Sequence, residues 1–341
     1  MYLISPHKNQ YKANLHCHST LSDGKRTPRE LKEDYKAHGY HILAITDHEV
    51  PKDHSVMSEP GFLMLTGYEN YIRTTEGGVY HRYRPEVHLN LFARDPHNET
   101  RICYNPCYCK YLTPEPQAAM PKAGSQRPRE YSREYINEYI RTARENGYLV
   151  SYNHAYWSME EEADILAYDG YFSMEMVNYS SYLSNNLEYN AALYDRMLLS
   201  GKRVFCHAGD DNHNKRDPED PEYDSYGGIT MILADELKYD RIIEAMELGE
   251  MYSTMGPLFH EVSFDGTTLH VECSEVARIH VYFGSKTPTR LCAKPGETLS
   301  GGDLHVDPDC RYVRVSIFDR DGMCADTRGF FRDELGLPPL E

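Results

Sequence analysis

The stretch Asn14-Leu15-His16-Cys17-His18-Ser19-Thr20-Leu21-Ser22-Asp23-Gly24 carries two histidines one residue apart and a carboxylate just beyond them. In an extended strand alternate side chains share a face, so His16 and His18 point one way and Cys17 the other. Two imidazoles and a carboxylate begin a divalent-metal site without completing it, because such an ion takes roughly four to six ligands. The remaining ligands must come from other parts of the chain.

The elements that could deliver them follow a simple rhythm. From Tyr11 to about Tyr252, strand-like runs alternate with helix-like ones, the pattern of parallel βα units. The first strand, 12–17, is followed by a fully punctuated helix. Thr27 is its N-cap, Pro28 its first residue, Glu30 the far half of a capping box and Gly39 its stop. Further strands are expected at 41–46, running into Asp47-His48; at 61–68, ending in Glu69; and at 87–92, with His88 inside it. Others fall at 148–153, ending in His154; at 172–177; at 203–207, running into Gly209-Asp210-Asp211-Asn212-His213; and at 229–233. Helices are expected at 132–146, 187–199 and 239–248, the first with Tyr135, Ile136, Tyr139, Ile140 and Ala143 on one face.

Two segments break the rhythm. Residues 94–131 are rich in Pro, Cys and Tyr, lack a period and exceed the usual connection length, so they read as a lid or rim over the barrel mouth. After Gly256-Pro257, short alternating runs are separated by Asp-Gly, Gly-Ser and Gly-Gly turns. That pattern predicts a metal-binding barrel over 1–256 and a small antiparallel β-sandwich over 257–341. A chain cut after Pro257 is then expected to keep its chemistry.

In a βα-barrel the C-terminal ends of the strands form the active face. His48, Glu69, His154, Asp211 and His213 fall at such ends, beside His16, His18 and Asp23, and His88 makes nine candidates. At roughly four to six ligands per cation, nine suit two or three ions. Mixed imidazole and carboxylate donors favour Zn, Mn or Fe over Ca or Mg.

His16-x-His18 with Asp23-Gly24, Thr46-Asp47-His48, Gly67-x-Glu69, His88, His154 and Asp211-x-His213, in that order, resemble the polymerase and histidinol phosphatase (PHP) superfamily. The resemblance covers about 11–256. It implies a distorted (β/α)7 TIM-like barrel that holds up to three metal ions and hydrolyses phosphoesters. By motif, it gives a first ion to His16, His18, Glu69 and Asp211, a second to Glu69, His88 and His154, and a third to Asp23, His48 and His213. Asp23 stands where some relatives have histidine, which shifts the expected preference toward Mn or Fe. Between Asp210 and Asp211 only the Asp-x-His spacing selects Asp211, which leaves Asp210 as a supporting acceptor. The implied nucleophile is a metal-bound hydroxide bridging the first two ions, since coordination lowers the pKa of water to about 7.

Around that site Lys25, Arg26, Arg82 and Arg84 are candidate phosphate clamps. His207 is read either as a general acid or as a core histidine on the opposite strand face. Tyr152 and Trp157 flank His154 and are read as ring-stacking or packing residues.

Composition narrows the partners. The 341 residues are 40% hydrophobic and 26% charged, with a formal net charge of −17. That balance suits a soluble chain with a sizeable core and argues against a nucleic-acid-coating surface. It leaves room for a small-molecule phosphoester or nucleotide, because bound cations reverse the sign inside a cleft. Nine cysteines form no even framework, and Cys103, Cys107 and Cys109 read as loop thiols in a reducing cytoplasm. No apolar run reaches membrane-span length, and the N-terminus lacks the regions of a signal peptide. Two alternatives remain within the superfamily, an exonuclease and a histidinol-phosphate phosphatase. Outside it stands a non-catalytic binding module braced by metals.

Overall fold

The computed structural model of the protein describes residues 1–73 and 84–340. Among these, fourteen strands join one mixed sheet. Its order begins Phe205–Gly209, Ser173–Asn178, Tyr148–Tyr152, Glu86–Ala93, Leu63–Arg73, Ile42–Ile45, Asn9–Asn14 and Ile229–Ala234. It continues through Met251–Thr254, Cys324–Thr327, Tyr312–Phe318, Arg278–Tyr282 and Thr289–Cys292, and Phe330–Phe331 pairs off this path with Tyr312–Phe318.

Parallel pairing holds between Asn9–Asn14, Ile42–Ile45 and Leu63–Arg73, and between Tyr148–Tyr152, Ser173–Asn178 and Phe205–Gly209. Glu86–Ala93 runs antiparallel to both of its neighbours, which corrects the expectation of parallel units throughout. The reversal has a direct consequence. On this strand the N-terminal end faces the site, so its histidine comes near the start instead of past the end.

The sheet curls until Phe205–Gly209 returns beside Ile229–Ala234. There the Thr230 hydroxyl donates to the Ala208 carbonyl at 2.7 Å and accepts from the Ala208 N–H at 3.0 Å. These side-chain bonds stand where a closed barrel would have a backbone ladder; no ladder joins the two strands among the described residues. The architecture is thus of the mixed α/β class expected, built on one large curled sheet.

The helices follow their local signals. Pro28–Ala37 has the full Thr27–Glu30 capping box, and Arg133–Glu145 buries the five residues expected on its inner face. Tyr239–Leu248 ends on left-handed Gly249. The helix expected over 187–199 starts later, as Ala191–Leu199, and a separate helix, Tyr179–Asn185, precedes it and ends on left-handed Asn186 (φ 57°).

The 94–131 segment contains the paired strands Arg101–Ile102 and Lys122–Ala123 and the short helix Pro114–Ala119. Arg101 and Arg129 both reach the buried carboxylate of Glu49, with Arg129 Nη2 donating to Oε2 at 2.9 Å. A surface segment is thus tied to the residue that follows His48.

The C-terminal strands do not stand apart. Cys324–Thr327 pairs with Met251–Thr254 and so extends the main sheet. A second sheet of four strands, Tyr2–Ile4, Phe259–Phe264, Thr268–Val276 and Leu299–His305, takes its outer strand from the N-terminus. Val262, Val271, Val281 and Val315 share one apolar core with Leu31, Leu43 and Ile45, so packing is continuous across 255–258. No helix among the described residues is long and apolar enough to cross a membrane.

Candidate metal centre

Two loops zipped together build the floor of the site. The Asp211 N–H donates to the His16 carbonyl at 2.8 Å and the His18 N–H to the Asn212 carbonyl at 3.0 Å. The first loop is then folded back by Asp47, which accepts from the Ser19 N–H at 2.7 Å and from the Ser19 and Ser22 hydroxyls at 2.6 Å. Gly24 follows because the backbone leaves no room there: a Cβ would lie 2.2 Å from the His18 carbonyl oxygen. This packing delivers Asp23 to the rim.

Glu69 is the hub. Its carboxylate lies 3.3 Å from His16, 3.5 Å from His18, 2.8 Å from His48, 2.9 Å from His88 and 3.3 Å from His154, each measured to a ring nitrogen. Asp211 Oδ1 adds contacts of 3.0 Å to His18 and 3.3 Å to His16, and Asp23 Oδ1 lies 3.3 Å from His213 and 3.7 Å from His48. The nine candidate ligands therefore come together. Seven line a cleft of about 470 Å³, while His16 and His18 are fully buried beneath it.

Among the described residues, three groupings have donor atoms close enough to share a cation: His18, Asp23, His48 and His213; His16, His18 and Glu69; and His48, Glu69 and His88. His18 and His48 each belong to two of them, so the ligand sets are less separate than the motif resemblance implies.

A metal fits these residues on two grounds. Asp23 Oδ1, Glu69 Oε2 and His48 Nδ1 are buried without a hydrogen-bond partner among the described residues. The 2.8 Å contact between the last two is misaligned for a hydrogen bond, although its length would allow one. Buried acceptors facing each other are costly unless a cation lies between them.

Electrostatics agree. Burial, with His48 and His213 close by, pushes His18 down to about 3, so it presents a neutral donor nitrogen. Burial would raise Glu69, but His88, His16 and His48 outweigh it and hold the carboxyl well below its ordinary value. His88 runs the other way: burial opposes its protonation, yet Glu69 and Glu86 lift it to about 10, so a cation binding there must displace its proton.

A residue that the sequence did not single out completes the floor. Glu175, fully buried in Ser173–Asn178, lies with Oε1 2.6 Å from His16 Nδ1, and its Oε2 accepts the His154 N–H at 2.8 Å. With Nδ1 so engaged, His16 turns Nε2 toward Asp211 and Glu69, the arrangement that fixes a metal-binding tautomer. The available signal was an acidic residue inside an otherwise apolar alternating run. Asp210 has the supporting role expected of it, accepting from the Tyr35 hydroxyl at 2.6 Å and from the N–H groups of Tyr226, Gly227 and Gly228.

The cations of the cleft differ from those expected. Arg73, Lys110 and Lys215 line it, whereas Lys25 is exposed outside it and Arg26 is engaged by Asp34. Arg84 lines a neighbouring groove, and Arg82 lies outside the described residues. His207 is wholly buried behind the floor, 3.4 Å from the Ser151 hydroxyl, and burial pushes it down to about 4. It does not line the cleft, so it is a core histidine and cannot deliver a proton to a bound substrate. Tyr152 is core and donates to Glu160, while Trp157 stands at the cleft wall.

No family model matches the chain. A stretch of 62 residues is 39% identical to a 5'-3' exoribonuclease of Haemophilus influenzae, spanning 17% of this chain and 23% of that protein. Among solved structures, the chain is similar to a two-domain protein of Bacteroides vulgatus containing a PHP-like domain predicted to be a metal-dependent phosphoesterase. That likeness has 14% identity over 97% of this chain and 98% of the other, with a TM-score of 0.48. A protein of Bifidobacterium adolescentis proposed to be a metal-dependent phosphoesterase is 20% identical, covering 60% and 89% of the chains at a TM-score of 0.37. An amidohydrolase of Chromobacterium violaceum with bound sulfate is 17% identical, covering 70% and 96% at a TM-score of 0.41.

Proposed function

We propose that this chain is a metal-dependent phosphoesterase of the PHP type, hydrolysing a phosphomonoester or phosphodiester of a small molecule or nucleotide. The observation that carries the reading is Glu69, a buried carboxylate within 3.5 Å of ring nitrogens from five histidines at the foot of an open cleft. A structural metal site would be closed, with its ligands filling every position; here seven of the nine donors face solvent-accessible space.

His16, His18, Glu69 and Asp211 would hold one divalent ion, His88 and His154 with Glu69 a second, and Asp23, His48 and His213 a third. Two or three ions of Zn, Mn or Fe supply, when bound, Lewis acidity toward the phosphoryl group and a water of lowered pKa. The chain's own residues do the rest. Glu175 holds His16 in one tautomer, and Asp47 holds the loop that presents Asp23. Arg73, Lys110 and Lys215 bring positive charge to the cleft wall, where a phosphoryl group needs it. Tyr108, Tyr111 and Trp157 narrow the opening and exclude water from its sides. Five carboxylates also line the cleft, Asp23, Glu69, Glu86, Asp211 and Asp224, so an anionic ester enters only when cations offset them.

The test is elemental analysis with hydrolysis of p-nitrophenyl phosphate and its diester. His18→Ala should lose bound metal and turnover with an unchanged far-ultraviolet circular dichroism spectrum. A metal-loaded, fully active variant would sink the assignment. Metal affinity should also fall on acidification, since histidine binds metal only when neutral. The short match to an exoribonuclease favours a second reading within the same chemistry, removal of nucleotides from RNA ends. Adding short oligoribonucleotides to the substrate panel decides between them.

A further inference from the structure

Beside the metal cleft runs a second groove of about 700 Å³, lined by Tyr156, Trp157 and Met159 and by the charged Arg84, Glu86 and Glu160. Trp157 lines both spaces, so the groove continues the cleft. Its ring lies edge-on 5.1 Å from His88 and 4.8 Å from His154, one ring's width from two candidate ligands.

These apolar side chains are exposed when most of the chain's large ones are not. Trp157 is 40% exposed, Tyr156 52% and Met159 50%, whereas Tyr135, Tyr139, Tyr148, Tyr152, Tyr168 and Tyr194 are buried. Exposure here does not come from a slack loop. Glu188, fully buried, accepts the Tyr156 N–H at 3.0 Å and the Trp157 N–H at 2.8 Å, and Asn190 Nδ2 donates to it at 2.9 Å. The Ser158 N–H returns to the His154 carbonyl at 3.0 Å, while His154 and Met159 both take positive φ, 23° and 56°. A buried carboxylate and two strained residues thus hold two aromatic rings in solvent. Burying a carboxylate to fix a loop is costly, and the edge contacts with His88 and His154 still leave Trp157 40% exposed, so packing alone does not account for it.

We propose that Trp157, with Tyr156 and Met159, forms a stacking platform for a planar aromatic ring on the leaving alcohol of the substrate. The inference rests on the phosphoesterase reading: with the phosphoryl group among the ligands, a ring attached to the ester oxygen falls on the adjoining wall. Aryl and nucleoside esters share this chemistry; esters of small aliphatic alcohols leave the platform empty. Stacking of a base on an aromatic side chain contributes about 1–3 kcal/mol, so the platform should favour ring-bearing esters by roughly tenfold or more in KM.

Trp157 is the chain's single tryptophan, which makes its emission a direct reporter. Phenylphosphonate, whose carbon–phosphorus bond resists hydrolysis, should quench the metal-loaded protein saturably, and methylphosphonate should not. In turnover, Trp157→Ala should shrink the KM advantage of phenyl phosphate and adenosine 5'-monophosphate over ribose 5-phosphate about tenfold, with Trp157→Phe retaining most of it. The ester with the greater dependence on Trp157 identifies the ring as aryl or nucleoside. Equal emission with both phosphonates, or a KM ratio unmoved in Trp157→Ala, overturns the platform. Quenching without hydrolysis of any ester keeps the platform and defeats the phosphoesterase reading. Hydrolysis with no ring preference does the reverse.

Discussion

Glu175 and Glu160 are both buried or nearly buried carboxylates, and they act differently because of what faces them. Glu175 meets a candidate ligand, His16, at 2.6 Å. Glu175→Gln keeps the volume and removes the charge that orients the imidazole, so metal affinity should fall about 10- to 100-fold. Metal titration followed by competition with a chelator checks this, and unchanged affinity would remove Glu175 from any positioning role. Glu160 instead meets three tyrosine hydroxyls, Tyr152 and Tyr168 at 2.6 Å and Tyr131 at 3.0 Å. Burial raises its carboxyl above the ordinary value, and those hydroxyls bring it only part of the way back. Below the ordinary carboxyl value the group is neutral folded or unfolded and has no pH-linked cost. As pH rises from there through the raised folded value, the ionised form must be kept buried and stability is lost. Tyr152→Phe removes a donor to that ionised form. Its cost should be about 1.5–3 kcal/mol at pH 7 and clearly smaller at pH 4, read from urea denaturation. An equal cost at both values would make Tyr152 a packing residue alone.

Among the elements, the 94–131 segment depends most on a contact remote in sequence. Arg101 and Arg129 converge on Glu49, and removing one leaves a buried carboxylate with a single guanidinium partner. Arg129→Ala should therefore cost about 3–5 kcal/mol and speed proteolysis within 94–131. Stability unchanged in denaturant would show that the segment is held elsewhere. Capping explains why some elements were legible from sequence and others were not. Thr27, Pro28 and Glu30 act within one turn, so the helix they start is readable from a few residues. The late start of the helix expected over 187–199 is not, because Glu188 turns inward to hold the N–H groups of Tyr156 and Trp157, some thirty positions away. The reversed Glu86–Ala93 strand left one trace in the sequence: a histidine placed inside the run, where the others followed it.

For the whole molecule, the C-terminal region matters more than its strand pattern suggested. Cys324–Thr327 completes the sheet beside Met251–Thr254, and buried Arg314 bonds Asp195 at 2.7 Å and Asp326 at 3.1 Å. A chain ending at Pro257 would expose that strand edge and the shared core and leave Asp195 without its guanidinium partner. It should be insoluble or lack a cooperative unfolding transition, contrary to the expectation that the chemistry survives the cut. A soluble, metal-binding 1–257 fragment would show that the first part folds alone. The sequence by itself determined the ligand types, their order and the local helix starts, because metal chemistry demands particular side chains and capping acts over a few residues. Tertiary structure alone decided the direction of the His88 strand, the open seam at Thr230, the Glu175 support beneath His16 and the choice of Arg73, Lys110 and Lys215 as the cations of the cleft. Each of these depends on which distant backbones pack side by side, and no local pattern of residue types encodes that. The opening pair, His16 and His18, was legible from the start; that both lie buried beneath a carboxylate shared by five histidines became visible only once the strands were assembled.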